Sequence, residues 1–184
     1  MNIILASKSP RRKELLEQIG IIPEIIVSEA DENIDEKDPQ SLVMKLSKIK
    51  AEAVFDDVKE RNEEFCVLGA DTVVFADDSI LGKPENKEEA RRMIKGLQGK
   101  YHYVYTGFTL IFSDKRIITD YCETKVYVYS MTDDEIEEYI STCEPYDKAG
   151  AYGIQGLFGR YVEKIDGDYN NVVGLPVSKI MRYI

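Results

Sequence analysis

The sequence predicts a mixed α/β fold built as one domain. In its N-terminal part, short apolar runs typical of buried strands alternate with amphipathic segments typical of helices. The second half contains a long stretch with a two-residue period, which is typical of antiparallel strands. The chain has 184 residues, of which 43% are hydrophobic and 32% charged. This size and composition fit a single globular domain over residues 1–184.

The N-terminal part predicts a strand, a helix and a second strand. The apolar run at residues 3–6 indicates a short buried strand. Ser9 and Pro10 are typical of a helix cap and of the first helical residue, and Gly20 is typical of a helix end. Residues 21–27 predict a second strand, which an internal proline bends or places near an edge.

An acidic loop and a long amphipathic helix follow. Residues 29–38 are mostly acidic and predict a solvated loop. Pro39 begins a helix whose apolar residues recur at helical spacing, namely Leu42, Val43, Leu46, Ile49, Ala53 and Val54. The most apolar run, residues 65–75, predicts a central strand. Asn86 then caps a helix that runs through Leu97.

The C-terminal half predicts antiparallel strands and two more helices. The two-residue period over 101–129, interrupted at Gly107, near Asp114 and Lys115, and around 120–123, predicts three or four strands. Thr132 and Glu135 form a capping-box pattern for a helix that ends near Ser141. The remaining segments predict a glycine-rich loop or broken helix at 144–156, a strand at 161–165, a turn at Asp166 and Gly167, and a last helix after residue 176.

Composition excludes several classes of protein. The formal net charge of −10 argues against a sequence-tolerant nucleic-acid binder, whose affinity depends on basic side chains. No apolar stretch is long enough to span a membrane, and the N-terminal segment lacks the basic start of a signal peptide. Cys66, Cys122 and Cys143 are too few and too widely spaced for a zinc site or a disulfide framework. We therefore expect a cytoplasmic protein.

The first candidate site lies between the first strand and the first helix. Ser7, Lys8, Ser9, Arg11 and Arg12 place two hydroxyls and three basic side chains at a helix N-terminus. Such a terminus binds anions, and arginine matches the geometry of phosphate oxygens. The alternative is ordinary capping with solvated arginines, but basic residues oppose the helix dipole at this end. The pattern favours an anion site.

The second candidate is an aspartate in the most apolar strand. Asp71 would be costly to bury there unless it is paired or binds a cation. The small residues Gly69 and Ala70 indicate room for a ligand to approach, and Thr72 adds a hydroxyl. A carboxylate that accepts hydrogen bonds from the backbone or from Thr72 is the alternative.

Three weaker signals follow. Lys83 lies between a glycine and a proline in a loop, where most lysines are simply solvated. The glycine-rich segment 144–156 contains two tyrosines and Gln155, whose amide could pair with a nucleobase, although a structural turn explains the glycines equally well. His102 has no partner His or Cys nearby in the sequence, so we predict neither a ligand nor a base there.

Taken together, these segments resemble the Maf family of nucleotide pyrophosphatases, also described as septum-formation proteins. Order and spacing match over essentially the whole chain, in the segments 5–16, 68–74, 82–84, 147–156 and 165–176. The resemblance implies an elongated α/β fold around a bent mixed sheet flanked by helices. That fold is similar to the inosine triphosphate pyrophosphatases and has a cleft between two lobes.

The resemblance also implies an enzyme that splits a nucleoside triphosphate into a monophosphate and pyrophosphate with Mg²⁺ or Mn²⁺. It gives Asp71 the position of the proton acceptor. It gives Arg11, Thr72 and Gln155 the positions that mark the branch similar to dTTP/UTP pyrophosphatases. The other residues expected to line the phosphate and metal pocket are Ser7, Arg12, Glu32, Lys50 and Lys83, with Glu32 and Asp71 as the metal ligands.

Alternatives remain open at this stage. The enzyme could act mainly on modified nucleotides, or the pocket could serve as a sensor in a protein that regulates cell division and septum formation. The base could be Asp71 or a metal-bound carboxylate such as Glu32. The expected partners are the nucleoside triphosphates dTTP and UTP, with a homodimer implied by the resemblance and with neither nucleic acid nor membrane involved.

Overall fold

The computed structural model describes residues 1–184, and its regular elements are as follows. The strands are β1 (Asn2–Leu5), β2 (Glu24–Ile25), β3 (Phe65–Ala76), β4 (Ser79–Leu81), β5 (Tyr101–Phe112), β6 (Ile117–Val128) and β7 (Val162–Asp166). The α-helices are α1 (Pro10–Gln18), α2 (Pro39–Val58), α3 (Lys87–Leu97), α4 (Asp133–Ile140), α5 (Tyr169–Val173) and α6 (Val177–Ile180). Three 3-10 helices span Glu144–Asp147, Ala149–Ala151 and Leu157–Tyr161. None of the helices combines the length and apolar character needed to cross a membrane.

The strands form one mixed seven-stranded sheet. Its order is β2-β1-β3-β5-β6-β7, and β4 pairs with β3. Strand β1 runs parallel to β2 and β3, whereas the β3–β4 and β6–β7 pairs are antiparallel. The predicted mixed α/β class, with a mixed sheet and flanking helices, is therefore confirmed.

The chain divides into two compact units. The first unit comprises Met1–Asp71, Thr106–Cys122 and Gly174–Ile184, and the second comprises Thr72–Tyr105 and Glu123–Val173. Strands β3, β5 and β6 each contribute residues to both units. Each unit has a hydrophobic core of its own, as expected when apolar faces of helices and strands are removed from water.

In the first unit, α2 lies directly on the sheet. Its apolar face packs against β1, β3 and β5 in a core formed by Ile4, Ala6, Ala51, Val54, Val58, Phe65, Val67 and Ile111. The backbones approach closely at two glycines. A Cβ at Gly69 would lie 2.2 Å from the carbonyl oxygen of Ser47, and one at Gly107 would lie 2.4 Å from the carbonyl oxygen of Val43.

The predicted meander of three or four strands is wrong in number. The structure has two long strands, β5 and β6. They are joined by a turn at the predicted interruption near Asp114 and Lys115, where Phe112 N–H donates to the Arg116 carbonyl at 3.0 Å. Gly107 lies inside β5 and does not interrupt it. A glycine is needed at this position because α2 leaves no space for a side chain. A glycine within a strand can mark a turn, a bulge or a close approach, and here it marks a close approach.

In the second unit, α3 and α4 pack against the strands. The apolar residues of both helices contact Val74, Val104, Val126 and Val128, together with Tyr152 and Phe158 of the following segments. Both predicted helix starts are confirmed: the Asn86 side chain accepts from Glu89 N–H, and Thr132 forms a complete capping box with Glu135.

Two short elements differ from the sequence prediction. Strand β2 has only two residues, since the preceding Pro23 has no N–H to donate to the sheet. The five-residue helix α5 follows the predicted turn at Asp166 and Gly167 and was not predicted. Neither element contains a predicted site residue.

Candidate active site

A lysine between two carboxylates lies at the centre of the candidate site in the first unit. Lys50 Nζ donates to Asp71 Oδ1 at 2.6 Å and lies 2.8 Å from Glu32 Oε2. Helix α2 carries the lysine, β3 the aspartate and the acidic loop the glutamate. The lysine and aspartate side chains are only 11% and 15% exposed, whereas that of Glu32 is 50% exposed. The ammonium offsets the mutual repulsion of two carboxylates held this close together.

The start of α1 holds Arg12 in a fixed orientation. Arg12 Nε donates to the Gly174 carbonyl at 2.9 Å, and its Nη1 donates to Ser7 Oγ at 3.1 Å. Ser7 Oγ also accepts from Ser9 N–H at 3.2 Å. Ser9 occupies the N-cap position, as predicted, but its own side chain makes no capping hydrogen bond. The hydroxyl that serves the helix start is therefore that of Ser7.

The electrostatics of Arg12 connect the two groups of residues. Burial lowers the pKa of its guanidinium, because the charged form is removed from water. The negative charges of Asp71 and Glu32 partly oppose that decrease, and the positive charge of Arg11 adds to it. The structure therefore brings together six predicted site residues in the first unit, namely Ser7, Arg11, Arg12, Glu32, Lys50 and Asp71.

The interpretation of Gly69 and Ala70 as space for a ligand is wrong. Ala70 is fully buried, and the position beside Gly69 is filled by the backbone of α2 at Ser47 and Ala51. The same contact positions Lys50, because Lys50 precedes Ala51 on the helix and Asp71 follows Gly69 by two residues on the strand. The glycine serves the approach of two protein segments.

Three predicted site residues belong to the second unit. Thr72 follows Asp71 on β3 and is half-buried. Lys83 is exposed in the loop after β4, and the preceding Gly82 carbonyl accepts from Gly150 N–H at 3.0 Å. Gln155 is exposed in a turn that is closed by a hydrogen bond from Gly156 N–H to the Gly153 carbonyl at 3.2 Å. Within this unit, the Lys83 loop is thus attached to the segment that carries Gln155.

Comparison with known proteins decides the family. A sequence model described as "Maf-like protein" matches residues 2–184. The chain belongs to the Maf-like protein family. This confirms the resemblance inferred from the sequence motifs.

Similar proteins of the Maf-like family carry a consistent description. Proteins named "dTTP/UTP pyrophosphatase" from Thermoanaerobacter sp. (strain X514) and Bacillus anthracis are each 51% identical over 181 residues, or 98% of this chain and 93% and 92% of theirs. One of the same name from Agathobacter rectalis is 50% identical over 193 residues, covering 98% of this chain and 94% of its own.

Solved structures of more distant proteins show weak similarity. A nucleoside-triphosphatase/dITP/XTP pyrophosphatase from Mycobacterium abscessus matches with a TM-score of 0.43 and 13% identity over 71% of this chain and 76% of that one. The Ham1 protein of Staphylococcus aureus matches with a TM-score of 0.45 and 11% identity over 70% of this chain and 72% of that one.

The donor set of this Maf-like chain fits a divalent cation that is shared with a phosphate ligand. No group of three or more His, Cys, Asp and Glu side chains forms a complete protein cage. Glu32 and Asp71 nevertheless direct carboxylate oxygens at one point, where the cation present is the Lys50 ammonium. Mg²⁺ is usually bound by one or two carboxylates plus water and substrate phosphates, and this pair meets that requirement.

Two residues that were assigned no role from the sequence contact segments carrying predicted site residues. The Gly174 carbonyl fixes Arg12 from 162 positions away, a contact that no local pattern indicates. Glu144 begins the glycine-rich segment and contacts its far end through Leu157 N–H at 2.7 Å.

His102, predicted to be neither ligand nor base, lies in the core with Nε2 2.6 Å from the Tyr152 hydroxyl, and burial lowers its pKa to about 4.

Proposed function

We propose that this chain is a nucleoside triphosphate pyrophosphatase that hydrolyses dTTP and UTP to the monophosphate and pyrophosphate. The observation that carries the proposal is the cluster of Lys50, Asp71 and Glu32 beside the buried guanidinium of Arg12. Relatives about half identical over nearly the whole chain are named for this activity and support the choice of substrate.

Local positive charge allows an acidic protein to bind a triphosphate. The net charge of −10 repels such an anion at long range. Arg11, Arg12 and Lys50 supply compensating charge in the first unit, and we assign Lys83 the same role in the second. Ser7 adds a hydroxyl beside Arg12. Arginine is suited to phosphate oxygens because it can donate two parallel hydrogen bonds.

We assign Asp71 the role of the catalytic base. Its carboxylate would orient the water that attacks the α-phosphorus and accept a proton from it, with pyrophosphate as the leaving group. Lys50 holds that carboxylate in place through the 2.6 Å hydrogen bond. Glu32 is the alternative base, but its side chain is much more exposed and no β-strand fixes its position.

A divalent cation, Mg²⁺ or Mn²⁺, is part of the proposal. Glu32 and Asp71 would hold it, and the ion would neutralise phosphate charge and make a water more acidic. This supplies what a carboxylate alone lacks, because Asp and Glu are weak bases at neutral pH. Lys50 would then share the two carboxylates with the ion.

We assign selection of the nucleobase to Arg11, Thr72 and Gln155. The Gln155 amide offers one donor and one acceptor group, which complement the edge of uracil or thymine. Its exposure at the tip of a four-residue turn leaves the amide accessible to a ligand. Arg11 and Thr72 would help to place the nucleotide.

The proposal extends to the domain organisation, the cellular location and the oligomeric state of the enzyme. Residues 1–184 would act as one catalytic domain, because the family model spans nearly the whole chain. All three cysteines are free, which is compatible with the reducing cytoplasm. A homodimer is implied by the family resemblance and is tested by sedimentation.

The decisive experiment measures pyrophosphate release from dTTP, UTP, CTP, ATP, GTP, ITP and 7-methyl-GTP, with Mg²⁺ or Mn²⁺ and an EDTA control. We expect metal-dependent release largely confined to dTTP and UTP. Pyrophosphate release from a triphosphate with another nucleobase would support the proposed reaction and overturn the specificity assigned to Arg11, Thr72 and Gln155. No release from any triphosphate would overturn the proposal and favour a modified substrate or a nucleotide sensor.

A further inference from the structure

Glu144 joins the two ends of the segment that carries Gln155. Its Oε2 accepts from Leu157 N–H at 2.7 Å, and its Oε1 accepts from Phe158 N–H at 3.3 Å. Glu144 opens the glycine-rich segment and Leu157 follows it, so one carboxylate closes a loop of thirteen residues. Hydrogen bonds to an ionised acceptor are about twice as strong as neutral ones.

The same carboxylate is anchored to the core of the second unit. Glu144 Oε1 accepts from the Tyr139 hydroxyl at 3.0 Å. Tyr139 lies on α4, is 1% exposed and packs against the Phe158 ring. Burial and the negative charge of Glu144 both raise the pKa of the tyrosine, so it stays a donor at neutral pH. Helix α4 thereby fixes the carboxylate, and the carboxylate fixes the loop.

The turn at Gln155 packs directly on this carboxylate. A Cβ built at Gly156 would lie 2.2 Å from Glu144 Oε2, and one built at Gly153 would lie 2.7 Å from Lys148 Cε. The two glycines that close the turn therefore contact the two side chains beneath it. The turn that carries Gln155 is therefore in contact with the Glu144 carboxylate at Gly156.

From this arrangement we infer that Glu144 is a positioning residue for nucleobase selection, acting through the 153–156 turn on the amide of Gln155. The inference rests on the proposed function and adds to it a residue that does not itself contact the base. An amide selects a base only if its donor and acceptor are held in register with the partner groups. Glu144 provides that register through its bonds to Leu157 and Phe158.

The test compares selectivity in three variants. Glu144→Ala removes all three hydrogen bonds. Glu144→Gln keeps a neutral acceptor for Leu157 N–H. Gly156→Ala leaves Glu144 in the chain and displaces its carboxylate, because the flexible side chain yields before the backbone. Glu138→Gln is the matched acidic control, since Glu138 is exposed and pairs with Arg160 at 3.2 Å. Gly96→Ala is the matched glycine control, since a Cβ there meets no atom within 4 Å.

The readout is the ratio of kcat/KM for UTP to that for CTP. We expect Glu144→Ala and Gly156→Ala to lower this ratio about tenfold, near the discrimination that one hydrogen bond to a neutral base provides. Glu144→Gln should retain more of the ratio than Glu144→Ala. Both control variants should keep the wild-type ratio. A purely structural role for Glu144 would reduce activity on both triphosphates by the same factor and leave the ratio unchanged.

The outcomes separate the two proposals. A wild-type protein that prefers UTP, together with Glu144→Ala and Gly156→Ala proteins of unchanged ratio, would overturn the inference alone. A wild-type protein that releases no pyrophosphate from any triphosphate would overturn the proposed function and the inference with it. If Glu144→Ala does not fold, the ratios of Gly156→Ala and Glu144→Gln decide the question.

Discussion

Replacement of Gly69 by alanine should push α2 away from the sheet and disturb the candidate active site at the same time. The added methyl would lie 2.2 Å from the Ser47 carbonyl oxygen, 2.8 Å from Ala51 N and 2.9 Å from Ala51 Cβ. Two of these three neighbours are backbone atoms, which cannot rotate away. The helix must therefore move by about 1 Å to restore van der Waals contact.

The cost of that movement can be estimated from the contacts involved. Helix α2 has 20 residues, and its buried face includes Val43, Ala51 and Val54, each at 0% exposure. Overpacking a core typically costs about 1–3 kcal/mol, and a clash with backbone on a long buried helix belongs at the upper end. With a urea dependence of about 2 kcal/mol/M, a loss of about 3 kcal/mol lowers the midpoint by about 1.5 M.

Activity should decrease beyond what unfolding explains. Lys50 is carried by the displaced helix and Asp71 by the strand, so the 2.6 Å bond between them must change. We expect a decrease of about tenfold or more in turnover of dTTP by the folded Gly69→Ala protein, because catalysis is sensitive to misplacement of about 1 Å. Urea unfolding followed by circular dichroism gives the stability, and pyrophosphate release below the transition gives the turnover.

A matched alanine substitution provides the control. Gly96→Ala lies in α3, where the methyl meets no atom within 4 Å, and should raise the free energy of unfolding by about 0.5–1 kcal/mol. The reasoning is refuted if Gly69→Ala has a wild-type urea midpoint. A lower midpoint with wild-type turnover would refute the link between the helix contact and the Lys50–Asp71 bond.

Three further predictions concern single side chains. Asp71→Asn should lower turnover by about 10²- to 10⁴-fold while the protein stays folded, because Lys50 retains Glu32 as a partner; near-normal turnover would exclude Asp71 as the base. Gln155→Glu should change the preference among bases in the triphosphate panel, and an equal loss on every triphosphate would contradict its role in selection. His102 has a pKa of about 4 in the folded protein against 6.5 normally, so its contribution to stability is complete above pH 6.5 and is lost as the pH falls towards 4. The loss is about 3 kcal/mol, from 1.36 kcal/mol per unit of pKa, and unfolding of wild type and His102→Gln between pH 7 and 4 measures it; identical pH slopes would contradict the assignment.

The sequence predicts those parts of the fold that local interactions decide. Helices α3 and α4 begin where Asn86 and Thr132 indicate, because side-chain capping satisfies N–H groups that the helix itself cannot. The long apolar periodicity of α2 is likewise a local property. The number of strands between 101 and 129 is not a local property. It depends on whether Gly107 marks a turn or the close approach of α2, whose Val43 lies 64 residues earlier in the chain.

The site residues likewise fall into those that local sequence features indicate and those that depend on contacts between distant segments. The helix N-terminus and the buried aspartate could be chosen from charge, burial and backbone chemistry alone. Lys50 could not, because it is 21 residues from Asp71 and looks like any lysine on an amphipathic helix. Only the family resemblance assigned it to the pocket. Its partners become visible once the fold sets α2 against β3.

Gly69 shows why the sequence-based interpretation, space for a ligand, differs from what the structure shows, contact with a helix. A small residue beside a buried carboxylate indicates space, and the sequence alone does not state what fills it. The structure fills it with α2, and that helix supplies the ammonium that donates to the Asp71 carboxylate within an apolar strand. The glycine thus admits a protein segment instead of a ligand, and one contact meets two requirements, the close packing of α2 on β3 and the pairing of Asp71 with Lys50.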